Sequence, residues 1–273
     1  MFTVFCLIFY YICNVQYLNG LAKNFILEQL KLKFKEEKFF KRESLLNFYR
    51  QFDPDLKEST FRWRIYQLKA KKIITPITQD LFTLGIKPDF KPGISEFERK
   101  VANKIEKQFP GLKYCIWSTK SVNEFMLHLP GSFITILQVE KDALEPVYDY
   151  LKSHNKGTVY FQPDEKEINR YIFEAEQSII LQSLISKAPT QKVGKITTIT
   201  IEKMIVDLFC EKNLFVAYQG SELVHIINKA YERYAVNFTT LLHYARRRGK
   251  EVDIKHFLKE KTDIPKVIFN DKK

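Results

Sequence analysis

The sequence predicts a protein of the α+β or α/β class with two domains of different architecture. Three helical patterns and a short β-prone pair fill the first part of the chain, and strands alternate with helices in the second. The chain has 273 residues, roughly the length of two average domains. Hydrophobic residues make up 45% of it and glycines number only 9, which supplies packed cores and excludes a disordered or low-complexity chain.

The first domain is predicted over residues 21–90 from three helices and a hairpin. Apolar residues at helical spacing define two helices before residue 50, and a third is expected at residues 57–72. The turn Asp53-Pro54-Asp55 precedes this third helix and offers it an N-cap. Two β-prone runs around a polar tip, within residues 73–84, predict the hairpin. This order of elements is typical of a winged helix-turn-helix domain.

The second domain is predicted over residues 91–273, after a linker with Pro and Gly at residues 87–93. An amphipathic helix at 95–109 leads into alternating strands and helices, which predicts a mixed α/β domain with a partly parallel sheet. The strands are expected at 114–117, 133–140, 158–162 and 178–185, and the helices between them at 121–129, 142–152 and 164–171. The C-terminal part is predicted to be helical, with N-caps at Thr200, Ser221, Asn237 and Asp253.

The third helix carries the prediction of DNA binding. Phe61, Ile65 and Leu68 share one face and are expected in the core. The opposite face combines aromatic and polar residues with arginines, which suits a DNA groove, where guanidinium groups bind guanine edges or phosphates. The predicted contacts are Ser59, Thr60, Arg62, Trp63, Arg64, Tyr66, Gln67, Lys69 and Lys71. The alternative is that Trp63 or Tyr66 packs on the second domain and the charges only keep the surface hydrated.

The charge of the chain is consistent with a nucleic-acid partner. The formal net charge is +12, and residues 21–90 alone hold 11 Lys and 4 Arg against 9 acidic residues. Such a charge attracts phosphates without specifying a fold. The hairpin tip, Thr75 to Gln79, has no basic residue or glycine and is expected to contribute little to phosphate contact.

A possible second basic surface follows the predicted helix that begins at Asn237. It consists of Arg246, Arg247, Arg248 and Lys250. One interpretation is that these cations only compensate the dipole at a helix end, where Gly249 is the C′ residue. The other is that they contact phosphates of DNA or of a partner's nucleic acid.

The sequence lacks the motifs of the common catalytic and cofactor sites. It has no Gly-rich phosphate loop, no dinucleotide fingerprint and no metalloprotease helix. Its 5 histidines and its cysteines, Cys6, Cys13, Cys115 and Cys210, lack metal-ligand spacing. We therefore expect no enzymatic activity, no cofactor and no metal, and the cysteine usage favours a cytoplasmic location. One alternative is a degenerate or active restriction-type nuclease, because Glu140-Lys141 ends a strand and Gln138 stands where a second acid would help.

Residues 1–20 contain no charged residue, and Phe2 to Ile12 is almost continuously apolar. The stretch lacks the basic region and cleavage site of a secretory signal. Asn14, Gln16 and Asn19 interrupt it too early for a membrane span, so no membrane partner is expected. Three explanations stay open: a start codon placed too far upstream, a weak signal or membrane anchor, and a packed N-terminal extension.

Several segments, taken in their order along the chain, resemble the AbiEi-like antitoxins of type IV toxin–antitoxin systems, in particular a Bacteroidetes-type branch. They are Ser59 to Leu68, Leu81 to Leu84, Tyr114 to Trp117 and Ile201 to Leu208. The resemblance covers about Leu21 to Lys261. It implies a phage-defence regulator whose winged helix binds double-stranded DNA and represses its own promoter. It also implies a C-terminal domain that acts in neutralising a nucleotidyltransferase toxin. A protein-interaction module without DNA binding stays the alternative.

Overall fold

A computed structural model of the chain describes residues 24–85, 87–154, 158–163, 167 and 178–269. It confirms a fold that mixes α-helices with small β-sheets. The chain divides into two compact units between residues 86 and 87, a few residues before the predicted domain boundary. The predicted extension at residues 1–20 lies outside the described residues, and so does the predicted helix at 164–171 apart from residue 167.

The described residues of the first unit form three helices and a three-stranded antiparallel sheet. Its elements are α1 at residues 24–34, β1 Phe40–Lys41, α2 Arg42–Arg50, α3 Glu58–Ala70, β2 Ile74–Pro76 and β3 Leu81–Leu84. The strand order is β1-β3-β2, so the hairpin β2–β3 is extended by β1 at its second strand. β1 was not predicted, because two residues are too few for an alternating pattern to be visible.

Aromatic packing holds this unit together. Phe34 of α1 stacks on Phe40 of β1, with the ring centroids 4.1 Å apart. Phe61, Ile65 and Leu68 of α3 are buried, as predicted from their spacing. The inner face of α3 is therefore anchored in the core, and its outer face is available at the surface.

The N-cap predicted for α3 from Asp53-Pro54-Asp55 is wrong. The helix begins at Glu58, and the residue at the cap position is Lys57, whose side chain makes no capping hydrogen bond. Asp53 instead accepts a hydrogen bond from Arg64 at 3.0 Å. Glu58 supplies the negative charge that the helix dipole favours in the first turn.

The described residues of the second unit form a sheet of four strands as its central element. The strands are β4 Tyr114–Ser118, β5 Thr135–Val139, β6 Val159–Phe161 and β7 Ile179–Ser183. They lie in the order β4-β5-β7-β6, in which β4 is antiparallel to β5 and the other pairs are parallel. The predicted partly parallel sheet is thus confirmed.

Helices pack on both faces of this sheet. α4 Glu96–Gln108 and α5 Leu144–His154 contribute Val101, Ile105 and Val147 to a core with Ile116 and Leu137. A capping box between Ser95 and Glu98 starts α4. The other face carries the alternate strand residues, and there Gln182 donates a hydrogen bond to Glu211 at 2.8 Å.

Two segments of this unit differ from the prediction. The expected helix at 121–129 is a 3₁₀ helix, Thr119–Phe125, and residues 126–134 continue without a helix. A hairpin of β8 Thr190–Val193 and β9 Ile196–Ile199 was not predicted, because its first strand is polar and charged. Gly194 turns this hairpin with φ 63°.

The C-terminal part is helical, as predicted. It consists of α6 Ile201–Cys210, α7 Ser221–Arg233, α8 Phe238–Arg247 and α9 Glu251–Lys261. Thr200 and Asn237 cap α6 and α8 as expected. The N-caps predicted at Ser221 and Asp253 are wrong, because Gly220 and Lys250 occupy these positions. Among the described residues no helix has both the length and the apolar character needed to span a membrane.

Candidate nucleic-acid interface

The outer face of α3 is exposed and partly aromatic. Trp63 is 56% exposed and Tyr66 is 65% exposed. Three residues apart on a helix, they are neighbours on one surface. The predicted contacts Ser59, Thr60, Lys69 and Lys71 are also exposed, and Gln67 is half-buried. The structure therefore leaves most of the predicted contact residues accessible at the surface.

Glu58 holds two arginines at the N-terminal end of this surface. Arg62 Nε donates a hydrogen bond to Glu58 Oε1 at 3.0 Å, and Arg42 Nη2 donates to the same oxygen. The hydrogen bonds from Arg62 and Arg42 hold the pKa of the Glu58 carboxyl below its usual value. The Arg62 side chain remains 75% exposed. Exposed ion pairs of this kind are weak, so a phosphate group can displace Glu58 from either guanidinium.

Arg64 lies at the edge of the outer face, and its assignment as a DNA contact stays a prediction. Its Nη2 donates to Asp53 Oδ2 at 3.0 Å, and its guanidinium lies 5.0 Å from the centre of the Tyr49 ring. At about 100° per residue, position 64 falls roughly 60° from Phe61, at the edge of the buried face. Arg64 thus ties α3 to the loop before it.

A groove runs beside α3 and the hairpin. It has a volume of about 570 Å³ and is lined by Arg42, Glu58, Arg62, Ile65, Tyr66, Lys69, Gln79, Asp80 and Phe82. The Lys69 ammonium lies 5.2 Å from the centre of the Phe82 ring, and desolvation there lowers its pKa. The cations of the groove come from the helices, whereas the hairpin contributes Gln79 and Asp80.

Each of the four cations of the possible second basic surface has a partner. Arg246 pairs with Glu251 at 2.6 Å, Arg247 bonds Ser186, Arg248 pairs with Glu211 at 2.8 Å, and Lys250 pairs with Asp253 at 2.9 Å. Gly249 has φ 67°, as expected of a residue that ends a helix. These contacts favour the interpretation that the basic run terminates α8 locally.

Comparison with known proteins identifies the family. A model described as a family of unknown function, DUF6577, matches residues 60–264, about three quarters of the chain. The chain belongs to DUF6577. The match begins inside α3 and extends beyond α9, so it includes the outer face of α3 and the second unit. No curated protein matches the chain.

The DUF6577 region contains a buried charged cluster that sequence analysis missed. Lys203 and Asp207 of α6 form an ion pair, and their side chains are 0% and 1% exposed. Tyr244 donates to Asp207 Oδ1 at 2.8 Å and accepts from Lys203 at 3.2 Å, while Arg248 lies 3.6 Å from the same Asp207 oxygen. Burial alone would lower the pKa of Lys203, but the Asp207 carboxylate outweighs it and raises that pKa. The sequence feature that could have revealed this cluster is a pair of opposite charges four residues apart in an otherwise apolar helix.

Glu140, the acidic residue of the nuclease alternative, has a basic partner. Lys113 Nζ donates to Glu140 Oε1 at 3.1 Å, and the hydrogen bonds from Lys113 hold the pKa of Glu140 below its usual value. Gln138 is 1% exposed and pairs in register with Cys115 across the sheet. Glu140 is thus paired with Lys113, which directly precedes the neighbouring strand β4, and not with a second acid. Among the residues of the chain that the structure describes, no group of three or more His, Cys, Asp or Glu could hold a metal ion.

Proposed function

We propose that the first unit is a winged-helix domain that binds double-stranded DNA, and that the protein represses its own promoter. The observation that carries the proposal is the exposed outer face of α3, with Arg62, Trp63 and Tyr66 beside a groove lined by cations. A helix of this kind fits the major groove of B-DNA. The three helices and the sheet order β1-β3-β2 support it, because they are the expected elements of a winged helix.

The proposal extends to an antitoxin of a type IV toxin–antitoxin system that acts in the cytoplasm. The resemblance of four segments to AbiEi-like antitoxins supports this part. In this proposal the second unit acts in neutralising a nucleotidyltransferase toxin. A nucleotidyltransferase-like gene immediately downstream, whose expression arrests growth unless this chain is co-expressed, is the expected result. Growth arrest that co-expression leaves unchanged would contradict the antitoxin role but not the DNA binding.

DNA binding is tested by gel shift with the duplex upstream of the protein's own gene. The double variant Arg62→Ala plus Tyr66→Ala is expected to weaken binding at least tenfold, since each good base or phosphate contact contributes about 1–3 kcal/mol. The matched control, Leu32→Ala plus Lys33→Ala, also removes one exposed apolar and one basic residue, but from α1. Arg64 is left intact because it packs on Asp53 and Tyr49.

Two outcomes would contradict this assignment. The first is that the α3 variant binds as tightly as the unchanged protein. The second is that the α1 control weakens binding as much as the α3 variant does. Genuine binding should also weaken steeply as salt rises, because phosphate contacts release counterions.

A protein-interaction role is the second candidate, and one observation favours it. Trp63 and Tyr66 are large and exposed, whereas the nearby guanidiniums of Arg42 and Arg62 already bond Glu58. Aromatic residues and arginine are enriched in the centres of protein interfaces. This role predicts no sequence-specific gel shift. It also predicts a crosslinked protein partner that Trp63→Ala plus Tyr66→Ala abolishes.

A further inference from the structure

We propose that α3 reads thymine methyl groups through Trp63 and Tyr66, and does not read guanine through its arginines. This inference rests on the proposed DNA binding and specifies which base chemistry the helix recognises. It differs from the simplest expectation for a basic helix, in which arginine bonds the O6 and N7 atoms of guanine.

The arginines of α3 are poorly placed for guanine. Arg64 is turned back onto Asp53 and Tyr49. Arg62 is exposed, and in the free protein its weak Nε bond to Glu58 directs the guanidinium toward the N-terminal end of the helix. Arg42, on the neighbouring helix, bonds the same carboxylate. This position beside the groove suits a phosphate contact at the edge of the interface better than a base contact at its centre.

Glu58 itself disfavours guanine. An ionised carboxylate only accepts hydrogen bonds. The major-groove edge of guanine presents two acceptors, so a carboxylate that approaches it is repelled. The low pKa of Glu58 keeps this side chain ionised at neutral pH. Glu58 thus gives the N-terminal end of α3 no hydrogen-bond donor for guanine.

Trp63 and Tyr66 form the centre of the outer face. Their positions are three residues apart, which separates them by about 4.5 Å along the helix axis. That distance is close to the roughly 3.4 Å between successive bases of one DNA strand. The thymine methyl is the apolar group that base edges present in the major groove. Exposed rings gain most by covering such a group, because burial of apolar surface is favourable.

Gln67 completes the recognition of an A·T pair. It follows Tyr66 directly and lies one helical turn after Trp63, on the same outer face. A glutamine amide can donate and accept at once, which matches the N6 and N7 atoms of adenine. Aromatic contact with thymine and amide contact with the paired adenine would together favour A·T steps.

The test compares chemically altered forms of the duplex upstream of the gene, all with the unchanged protein. Replacing thymine by uracil removes only the methyl groups. We expect affinity to fall about fourfold for each contacted methyl, the equivalent of burying one carbon group. The salt dependence should stay the same, because the phosphate contacts are unaffected. Replacing guanine by 7-deazaguanine, which removes the N7 acceptor, should leave affinity within about twofold.

Variants connect the methyl effect to the two rings. Trp63→Ala plus Tyr66→Ala should bind the thymine and uracil duplexes equally, and Tyr66→Phe should still distinguish them because it keeps the ring. Equal binding of both duplexes by the unchanged protein would overturn the inference and leave DNA binding intact. A large loss with 7-deazaguanine would overturn it in favour of arginine readout. Failure to bind the upstream duplex in any form would overturn the proposed function as well.

Discussion

The buried pair of Lys203 and Asp207 allows a strong prediction about stability. Asp207→Asn keeps the size of the side chain but removes the charge that neutralises the Lys203 ammonium. Neither side chain reaches solvent, so water cannot replace the lost partner. Breaking a buried pair on one side typically costs about 3–5 kcal/mol. Because domains are stable by only about 5–15 kcal/mol, the second unit should lose a large part of its free energy of unfolding.

Removing the whole cluster should restore most of that loss. In Lys203→Met plus Asp207→Leu no unpaired charge of the pair is left, and apolar side chains fill the space. Tyr244 then lacks the acceptor for its hydroxyl, which costs about 1–3 kcal/mol. Adding Tyr244→Phe should recover that part. Arg248 keeps its ion pair with Glu211 in all of these variants.

Tryptophan fluorescence during urea unfolding can measure this for the second unit alone. The chain has 2 tryptophans, and Trp117 is fully buried in the second unit. In a Trp63→Phe background the signal comes only from Trp117. Asp253→Asn, which breaks an exposed pair in the first turn of α9, is the control and should lower the free energy of unfolding by no more than about 1 kcal/mol. The reasoning is refuted if Asp207→Asn costs less than about 1 kcal/mol, or if the double variant is no more stable than the single one.

Two further predictions concern Glu58 and Cys115. Glu58→Gln should free two guanidiniums, raise DNA affinity at low salt, and steepen the slope of log affinity against log salt by roughly 1–2. The charge-matched Glu36→Gln should leave the slope unchanged, and equal slopes for both variants would refute the role of Glu58. Burial raises the pKa of the Cys115 thiol to about 12. The unfolded chain loses this proton first, so above pH of about 8.5 the free energy of unfolding should fall by about 1.4 kcal/mol per pH unit from this group. Urea midpoints between pH 8 and 11 should show a smaller slope for Cys115→Ala, and identical slopes would contradict the assignment.

Long periodic patterns made much of the fold predictable. α3 and the strands β4, β5 and β7 could be predicted because their apolar residues follow the spacing of a helix or a strand over several residues. Short or polar elements carry no such pattern, so β1 and the hairpin β8–β9 were missed. After Phe125 the error was the opposite one, because a helix was predicted where the chain has none. The predicted helix extended to Leu129, yet Leu127 and Leu129 lie in a loop and are 64% and 65% exposed.

The outer face of α3 was predictable, but the ion-pair partners of the nearby arginines were not. Helical periodicity places Trp63 and Tyr66 opposite the core, and both are exposed. The partners of the arginines depend on the folded chain, because Asp53 lies 11 residues before Arg64 and Glu58 lies 16 residues after Arg42. Sequence spacing cannot reveal contacts of this kind. These contacts are the reason why we propose that aromatic rings of α3, and not its guanidinium groups, contact the bases.

The most direct test asks whether the outer face of α3 is the surface that touches DNA. Acrylamide, a neutral quencher, should reach the exposed Trp63 in the free protein but not the buried Trp117. On saturation with the duplex upstream of the gene, we expect quenching of Trp63 to be lost, while a shuffled duplex should protect it only at much higher concentration. Trp63 that stays fully quenchable in the saturated complex would contradict the assignment of α3 as the DNA-contacting helix.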